Sequence, residues 1–274
     1  MTKRTIVVGT GFLGMAVVQI LRQSGARPLH TFRRHQSLQD SIRFDLTSQS
    51  LSDVVSLSEI GTVIFTAKLE DSADCASLRA SMRTFFHDYR DLRIVFLSSD
   101  AVFDGRKGMY VESDSRNPQT PYGRLKAACE DILMAHVPNH CIIRPSYIYG
   151  VSCGQLDPRL LEARTAMRNG VPYRRFVDMY KSPIEVNQLA GIVVKASCTP
   201  FLGVLHAGGE RVSVYDFFRK SLMAMGESIR HLVPENLPEN PPAECLLDTS
   251  LDCRLLAETF GYAPDRAYSD RTNF

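Results

Sequence analysis

Tyr122 and Lys126 stand four residues apart in the stretch Tyr122-Gly123-Arg124-Leu125-Lys126, directly after Pro121. Residues at that interval share one face of a helix, so a phenol and an ammonium would project together. A phenol, with its ordinary pKa of about 10, is a poor acid or base near neutrality, but a fixed positive charge beside it favours the phenolate. The pair is therefore a candidate proton donor with its electrostatic support. On its own the spacing is common on surface helices. It gains weight from Ser98-Ser99-Asp100, which closes the apolar run Arg93 to Leu97. That run reads as a strand, and open α/β sheets gather ligands at the carboxyl ends of their strands. Ser99 is placed to hydrogen-bond a substrate oxygen beside the tyrosine.

A second chemistry-bearing segment is Ile6-Val7-Val8-Gly9-Thr10-Gly11-Phe12-Leu13-Gly14. It is a GxGxxG pattern between a strand and a helix, the setting in which the pattern binds dinucleotides. Gly9 permits a tight turn, Gly11 lets the backbone approach a pyrophosphate, and Gly14 lets helix and strand pack closely. An acid about 20 residues further on would accept hydrogen bonds from a free ribose 2'-hydroxyl. This chain has Arg33 and Arg34 there instead. Two guanidinium groups suit a 2'-phosphate, so NADP(H) is expected rather than NAD(H).

The elements that must position these groups follow a regular alternation. Strands are expected at Thr5 to Val8, Pro28 to Arg33, Ser41 to Leu46, Thr62 to Ala67, Arg93 to Leu97, Cys141 to Ile143 and Val204 to Ala207. Helices are expected at Met15 to Gln23, Ala73 to Tyr89, Pro121 to about His136, Leu160 to Met167, Gln188 to Ser197, Val214 to Met225 and Leu251 to Phe260. Strand and helix in turn make a doubly wound parallel sheet. A dinucleotide-binding domain is placed at 1–150 and completed by about 182–210. Residues 151–181 and 211–274 are assigned to a small C-terminal substrate-binding part, whose tail from Val214 onward is expected to be too small for a core of its own and to pack over the sheet's carboxyl edge as a lid. Val102 to Glu112 and the proline-rich tail are expected to close over the substrate.

Composition excludes several classes. With 44% hydrophobic and 23% charged residues in 274, disorder and collagen-like architectures are out. Lys plus Arg at 32 against Asp plus Glu at 30 leaves +2, with no basic block, which argues against nucleic acid as the main partner. Seven cysteines form no CxxC pair and read as small buried apolar residues. The histidines (30, 35, 87, 136, 140, 206 and 231) make no compact ligand set, so no metal is expected. Asp104, Glu112 and Asp114 read as solvated loop acids. Lys3 and Arg4 ahead of an uncharged stretch imitate a signal peptide, but Gly9, Gly11 and Gly14 within it argue otherwise, and a cytoplasmic protein without membrane contact is expected.

The sequence resembles the extended short-chain dehydrogenase/reductases, and within them the dTDP-4-dehydrorhamnose reductase-like proteins. The resemblance covers nearly the whole chain. It rests on Gly9 to Gly14, Asp45-Leu46, Ser98-Ser99-Asp100-Ala101-Val102-Phe103-Asp104-Gly105, Tyr122 to Lys126, Arg144-Pro145-Ser146-Tyr147-Ile148-Tyr149-Gly150, and Ser182-Pro183 before Val186. It implies a Rossmann fold, a nicotinamide dinucleotide, and Ser99, Tyr122 and Lys126 as the catalytic set, with Lys126 also holding the nicotinamide ribose. Asp45, Leu46, Thr66, Ala67, Lys68 and Pro145 join Gly9, Gly11, Phe12, Leu13, Gly14, Arg33 and Arg34 at the cofactor, and Asp100, Val102, Tyr147 and Met179 join Ser99 at the substrate. The implied activity is NADPH-dependent reduction of the keto group of a nucleotide-activated deoxysugar or similar carbonyl compound. Sugar-nucleotide epimerisation, or a non-catalytic NADP-binding regulatory role, are the alternatives, and a homodimer is compatible with either. Dehydratases of this superfamily carry a proton-abstracting Glu where this chain has Ala101. An Asn that relatives place before the serine strand has no counterpart between Thr62 and Leu97, and Tyr147, Met179 and Ile184 depart from the rhamnose-pathway pattern.

Overall fold

Seven strands pair in parallel into one sheet: β1 (Arg4–Val8), β2 (Leu29–Phe32), β3 (Ile42–Arg43), β4 (Ile60–Phe65), β5 (Arg93–Leu97), β6 (His140–Pro145) and β7 (Gly203–Ala207). Their spatial order, β7-β6-β5-β4-β1-β2-β3, reverses direction between β1 and β4, and that switch point is where a doubly wound sheet opens a crevice. The structure is a computed structural model and describes residues 3–36, 38–69, 75–242 and 244–262.

Side-chain alternation along the strands builds two cores. Val7, Ile64, Val95, Ile143 and Leu205 face helices α1 (Phe12–Gln23) and α5 (Val186–Cys198). Their neighbours Ile6, Val63, Phe65, Ile94 and Phe96 face α2 (Cys75–Asp88) and α3 (Pro121–His136). A period of two on strands buried on both faces explains why the runs are apolar throughout. On the second face Phe65, Phe85, Phe86 and Phe96 form an aromatic cluster of edge-on and tilted pairs with centroids 5.4 to 6.4 Å apart.

Several boundaries differ from the expectation. Helix α1 starts at Phe12, directly after the Gly11 N-cap, rather than at Met15. The third strand shrinks to two residues. Residues 73 and 74, expected to open α2, lie outside the described residues, as do 263–274.

The lid differs more. Helices α4 (Pro158–Arg168) and α6 (Val214–Ala224), with a parallel strand pair at Tyr173–Phe176 and Leu232–Glu235, surround their own cluster of Tyr149, Leu160, Tyr173, Phe217, Phe218 and Leu222. The tail has no core alone but gains one by joining 149–173, which sequence distance conceals. Helix α7 (Arg254–Phe260) instead buries Leu256 and Phe260 in the α1/α5 core, so this part of 211–274 packs with the sheet. Val102 to Glu112 is no free flap: Val102 and Phe103 are fully buried, Phe103 stacks on Tyr110 at 4.2 Å, and Tyr110 bridges to Leu251. The cysteines are also mixed, Cys129 and Cys141 being buried and Cys153 and Cys198 exposed. Among the described residues no helix is long and apolar enough to cross a membrane, and no His/Cys/Asp/Glu group could hold a metal.

Candidate active site

The glycine turn is shaped by what surrounds it. Gly9 has φ +97°, and a Cβ there would fall 2.5 Å from Ala67 Cα. A Cβ on Gly14 would overlap the Gly9 carbonyl oxygen. Thr31 accepts the Gly9 amide on its hydroxyl (3.2 Å) and the Thr10 amide on its carbonyl (2.8 Å). Thr66 donates its hydroxyl to the Gly9 carbonyl (2.7 Å), so this residue braces the loop from beneath instead of facing the cleft. Gly11 is the opposite case: an added Cβ would meet nothing within 4 Å, and no side chain caps α1. Phe12 and Leu13 pack toward the α1/α5 core, leaving their backbone N–H groups at an open helix N-terminus. Such a terminus, with no acid in its first turn, fits a pyrophosphate.

In front of that terminus lies a cleft of about 410 Å³. Ala67 and Lys68 line it just beyond β4, Arg33 and Arg34 just beyond β2, and Asp45 and Leu46 just beyond β3. Arg33 donates through Nε to Asp45 Oδ2 at 3.1 Å. Burial works to raise the Asp45 pKa, but the Thr47 hydroxyl and amide and the Arg33 charge outweigh it and hold the carboxyl below its ordinary value. These residues fit the dinucleotide implied by the glycine turn.

The expected catalytic residues converge on one edge of the sheet. Ser99 caps a single turn, Asp100–Val102: its Oγ accepts the Ala101 amide (3.1 Å) and donates to Asp100 Oδ1 (3.1 Å). Thr120 caps α3 by accepting the Gly123 amide on Oγ1 (3.0 Å), and Pro121 fills the first helical position, where a missing N–H costs nothing. A Cβ at Gly123 would overlap the Ala101 carbonyl oxygen, so this glycine lets the tyrosine helix seat against the serine turn. Tyr122 is half-buried. Lys126 is only 4% exposed, donates to the Leu97 carbonyl at 2.7 Å, and holds Nζ 5.8 Å from the Tyr122 ring centroid.

Beneath this trio lies a buried network that the motifs did not reveal. Glu130, one further helical turn from Lys126, is fully buried and accepts from Ser98 Oγ, from Arg144 Nε (3.0 Å) and Nη2 (2.7 Å), and from Arg116 Nη1 (3.0 Å). It thereby ties the residue before Ser99 to the helix that carries Tyr122 and Lys126. The i, i+4, i+8 spacing was the available signal.

Arg144 reaches on to His206, which is fully buried, with Nδ1 3.0 Å from the Tyr110 carbonyl and Nε2 3.4 Å from Arg144 Nη1. The neutral ring thus donates through Nδ1 and accepts through Nε2, and burial together with the Arg144 charge pushes its pKa down to about 4. Because the unfolded chain binds this proton near the ordinary 6.5, stability is present above that value and is lost as pH falls toward 4. A wild-type protein is expected to lose about 3 kcal/mol from this group across that window. His206→Gln should flatten the acid limb of a plot of unfolding free energy against pH. An unchanged slope would rule His206 out as its source.

The substrate-side expectations fare unevenly. Val102 is fully buried against Tyr110, Ala127 and Leu251, so its side chain cannot line the site, a correction to the expectation. Asp100 is a nearly buried hub whose Oδ2 accepts from Ser146 Oγ (3.1 Å), Thr249 Oγ1 (2.6 Å) and Lys181 Nζ (3.3 Å), joining the Ser99 turn to segments distant in the chain. Pro145 is buried at the end of β6. Tyr147 lies under the Arg159 guanidinium (3.6 Å) and edge-on to Phe217 (4.9 Å), where burial raises its hydroxyl pKa. Met179 is half-buried in the lid, where its carbonyl accepts the Val214 amide at 2.8 Å. The loop acids are structural acceptors: Asp104 takes the Tyr110 hydroxyl (2.5 Å), Glu112 takes the His206 amide (2.9 Å), and Asp114 takes the Lys107 ammonium (2.6 Å).

Comparison with known proteins identifies the family of the chain. Residues 3–271 match the family described as the RmlD substrate binding domain. The chain is 26% identical over 258 residues to the dTDP-4-dehydrorhamnose reductase of Aggregatibacter actinomycetemcomitans, covering 86% of this chain and 82% of that one. A hypothetical dTDP-4-dehydrorhamnose reductase from Sulfolobus tokodaii superposes with a TM-score of 0.81 at 24% identity, over 97% of each chain. The dTDP-4-dehydrorhamnose reductase of Bacillus anthracis, solved in complex with NADP, superposes with a TM-score of 0.80 at 18% identity, over 97% of this chain and 96% of that one.

Proposed function

The chain belongs to the RmlD substrate binding domain family, an extended short-chain dehydrogenase/reductase group, and from that premise we propose that it is an NADPH-dependent reductase of a nucleotide-activated keto-deoxysugar. The observation that carries the reading is the seating of the Tyr122/Lys126 face of α3 against the Ser99 turn, made possible by Gly123, at the sheet edge shared with the glycine cleft. The NADP complex of the Bacillus anthracis relative supports the choice of cofactor.

The glycine turn and the cleft in front of it would hold the dinucleotide, with Lys126 toward its nicotinamide ribose, and the bound cofactor would supply hydride to the carbonyl carbon. Tyr122 gives its phenolic proton to the carbonyl oxygen, and Lys126 stabilises the phenolate left behind. Ser99 hydrogen-bonds that oxygen once its hydroxyl turns away from Asp100, and Asp100 retains the donors of Ser146, Thr249 and Lys181 when it does so. Ala101 stands where a dehydratase would need its base, so elimination has no proton acceptor at that position.

The test is to follow the absorbance of NADPH with the purified protein and a panel of dTDP-, UDP- and GDP-linked 4-keto-6-deoxy sugars. The departures at Tyr147, Met179 and Ile184 lead us to expect turnover of a member other than dTDP-4-dehydrorhamnose. One alcohol should form per NADPH consumed. Conversion between epimers without net oxidation would make it an epimerase, and binding of NADPH with no conversion of any sugar would overturn the enzymatic reading.

Replacing Arg33 and Arg34 together should weaken NADPH by at least about tenfold, since a charge-assisted phosphate contact contributes about 1.5 to 3 kcal/mol. NADH binding should hardly change. Calorimetric titration of both cofactors checks this, and an equal loss for both would remove the arginines from 2'-phosphate recognition.

A further inference from the structure

Lys181 is a cation that neither the glycine cleft nor the Tyr122/Lys126 face uses, yet it reaches the Ser99 turn. It lies in the short strand Tyr180–Lys181, which pairs antiparallel with Val212–Ser213. Residues 248 and 249 run beside the same strand: Tyr180 bridges to Asp248, and its carbonyl accepts the Thr249 amide at 3.3 Å. Lys181 and Thr249 thereby arrive together at Asp100. Lys181 Nζ donates to Thr249 Oγ1 (2.5 Å) and to Asp100 Oδ2 (3.3 Å), and Thr249 Oγ1 donates to the same Oδ2 (2.6 Å). Ser146 Oγ, which accepts the amide of Ser182 (3.1 Å), gives Oδ2 its third donor. The other oxygen, Oδ1, accepts Ser99 Oγ at 3.1 Å. The side chains of Lys181 and Asp100 are only 17% and 10% exposed, so water screens this ion pair far less than one at the surface.

As a carbonyl is reduced at Ser99 and Tyr122, negative charge develops on its oxygen. A carboxylate one hydrogen bond beyond Ser99 opposes that charge, and strongly so in a site with little water. It also competes for the Ser99 proton, which must leave Oδ1 to reach the substrate. We propose that Lys181 is a positioning residue of the reaction. Its ammonium neutralises Asp100 and draws the carboxylate's charge toward Oδ2, so that the Ser99 hydroxyl is released to the substrate oxygen and the developing charge meets no uncompensated anion. Lys181 acts through Asp100 and does not itself touch the substrate. The inference rests on the reductase reading and goes beyond it by giving a role to a residue outside Ser99, Tyr122 and Lys126.

The test takes the 4-keto-6-deoxy sugar nucleotide of the panel that wild type reduces and measures kcat, KM and the NADPH dissociation constant for four variants: Lys181→Met, Lys181→Arg, Asp100→Asn, and Asp100→Asn with Lys181→Met. Lys181→Met should lower kcat about 30-fold while KM and NADPH affinity stay within about twofold of wild type, because the uncompensated carboxylate acts on the transition state alone. Lys181→Arg keeps the charge and should lie within about fivefold of wild type. In the Asp100→Asn background no carboxylate remains to be neutralised, so adding Lys181→Met should change kcat by less than about threefold. A purely structural latch would weaken NADPH binding and cost the same in both backgrounds. Equal losses in the two backgrounds, a raised KM with unchanged kcat, or a Lys181→Arg protein as slow as Lys181→Met would each overturn the proposal. Should Lys181→Met alone fail to fold, the double variant against Asp100→Asn decides, and where Asp100→Asn is too slow to measure, Lys181→Arg against Lys181→Met does. If wild type reduces no sugar, the reductase reading falls first and takes the proposal with it, an outcome visible before any variant is made.

Discussion

Tyr122→Phe should bind NADPH as tightly as wild type while its turnover falls by about 10²-fold to 10⁴-fold, the range typical of losing a positioned general acid. The substitution keeps the ring and removes only the hydroxyl. The half-buried ring stands on the first turn of α3, whose position is set by the Thr120 cap and by the seating of Gly123 against Ala101, and neither involves the phenolic oxygen. Helix and cleft should therefore survive. Separate measurement of the NADPH dissociation constant and of kcat checks this. If Tyr122→Phe retains turnover, the proton comes from elsewhere, with Ser99 or solvent as the remaining sources.

Lys126→Met is expected to do more, lowering kcat at least as far and also raising the dissociation constant of NADPH. A buried ammonium 5.8 Å from the Tyr122 ring centroid favours the phenolate that forms as the proton leaves, and methionine keeps the stem without the charge. The same ammonium anchors to the Leu97 carbonyl at 2.7 Å, the last residue of β5 before the serine turn. Its removal leaves that carbonyl short of a donor, at about 1 to 3 kcal/mol of stability. A Lys126→Met protein with normal kcat and weakened NADPH binding would reduce the lysine to a binding role. Loss of kcat with unchanged affinity would remove it from the ribose instead.

The fold was legible because its signals are local. β-branched runs alternating with helical periodicity, a glycine turn between the first strand and helix, and Pro121 opening α3 depend on residues within one or two turns of each other. The same holds for the Tyr122/Lys126 face, which needs only the helical repeat.

What the tertiary structure decided lies between elements distant in the chain. Thr66 is drawn under the glycine loop because β4 runs beside β1, which spends its hydroxyl on the Gly9 carbonyl. Val102, whose motif position suggested substrate contact, is buried because Tyr110 and Leu251 close over it. Glu130, Arg144 and Ser98 come from a helix and two neighbouring strand ends, and no spacing rule joins them. The smaller core unites 149–173 with 212–232, and α7 packs instead on the sheet, because apolar surface is buried wherever the chain brings it together, irrespective of sequence order. At the cofactor cleft the sequence by itself determined that two arginines follow β2. Only the parallel register of β2 with β3 placed Asp45 against one of them, since strand pairing, unlike a helical repeat, sets neighbours that sequence spacing does not display.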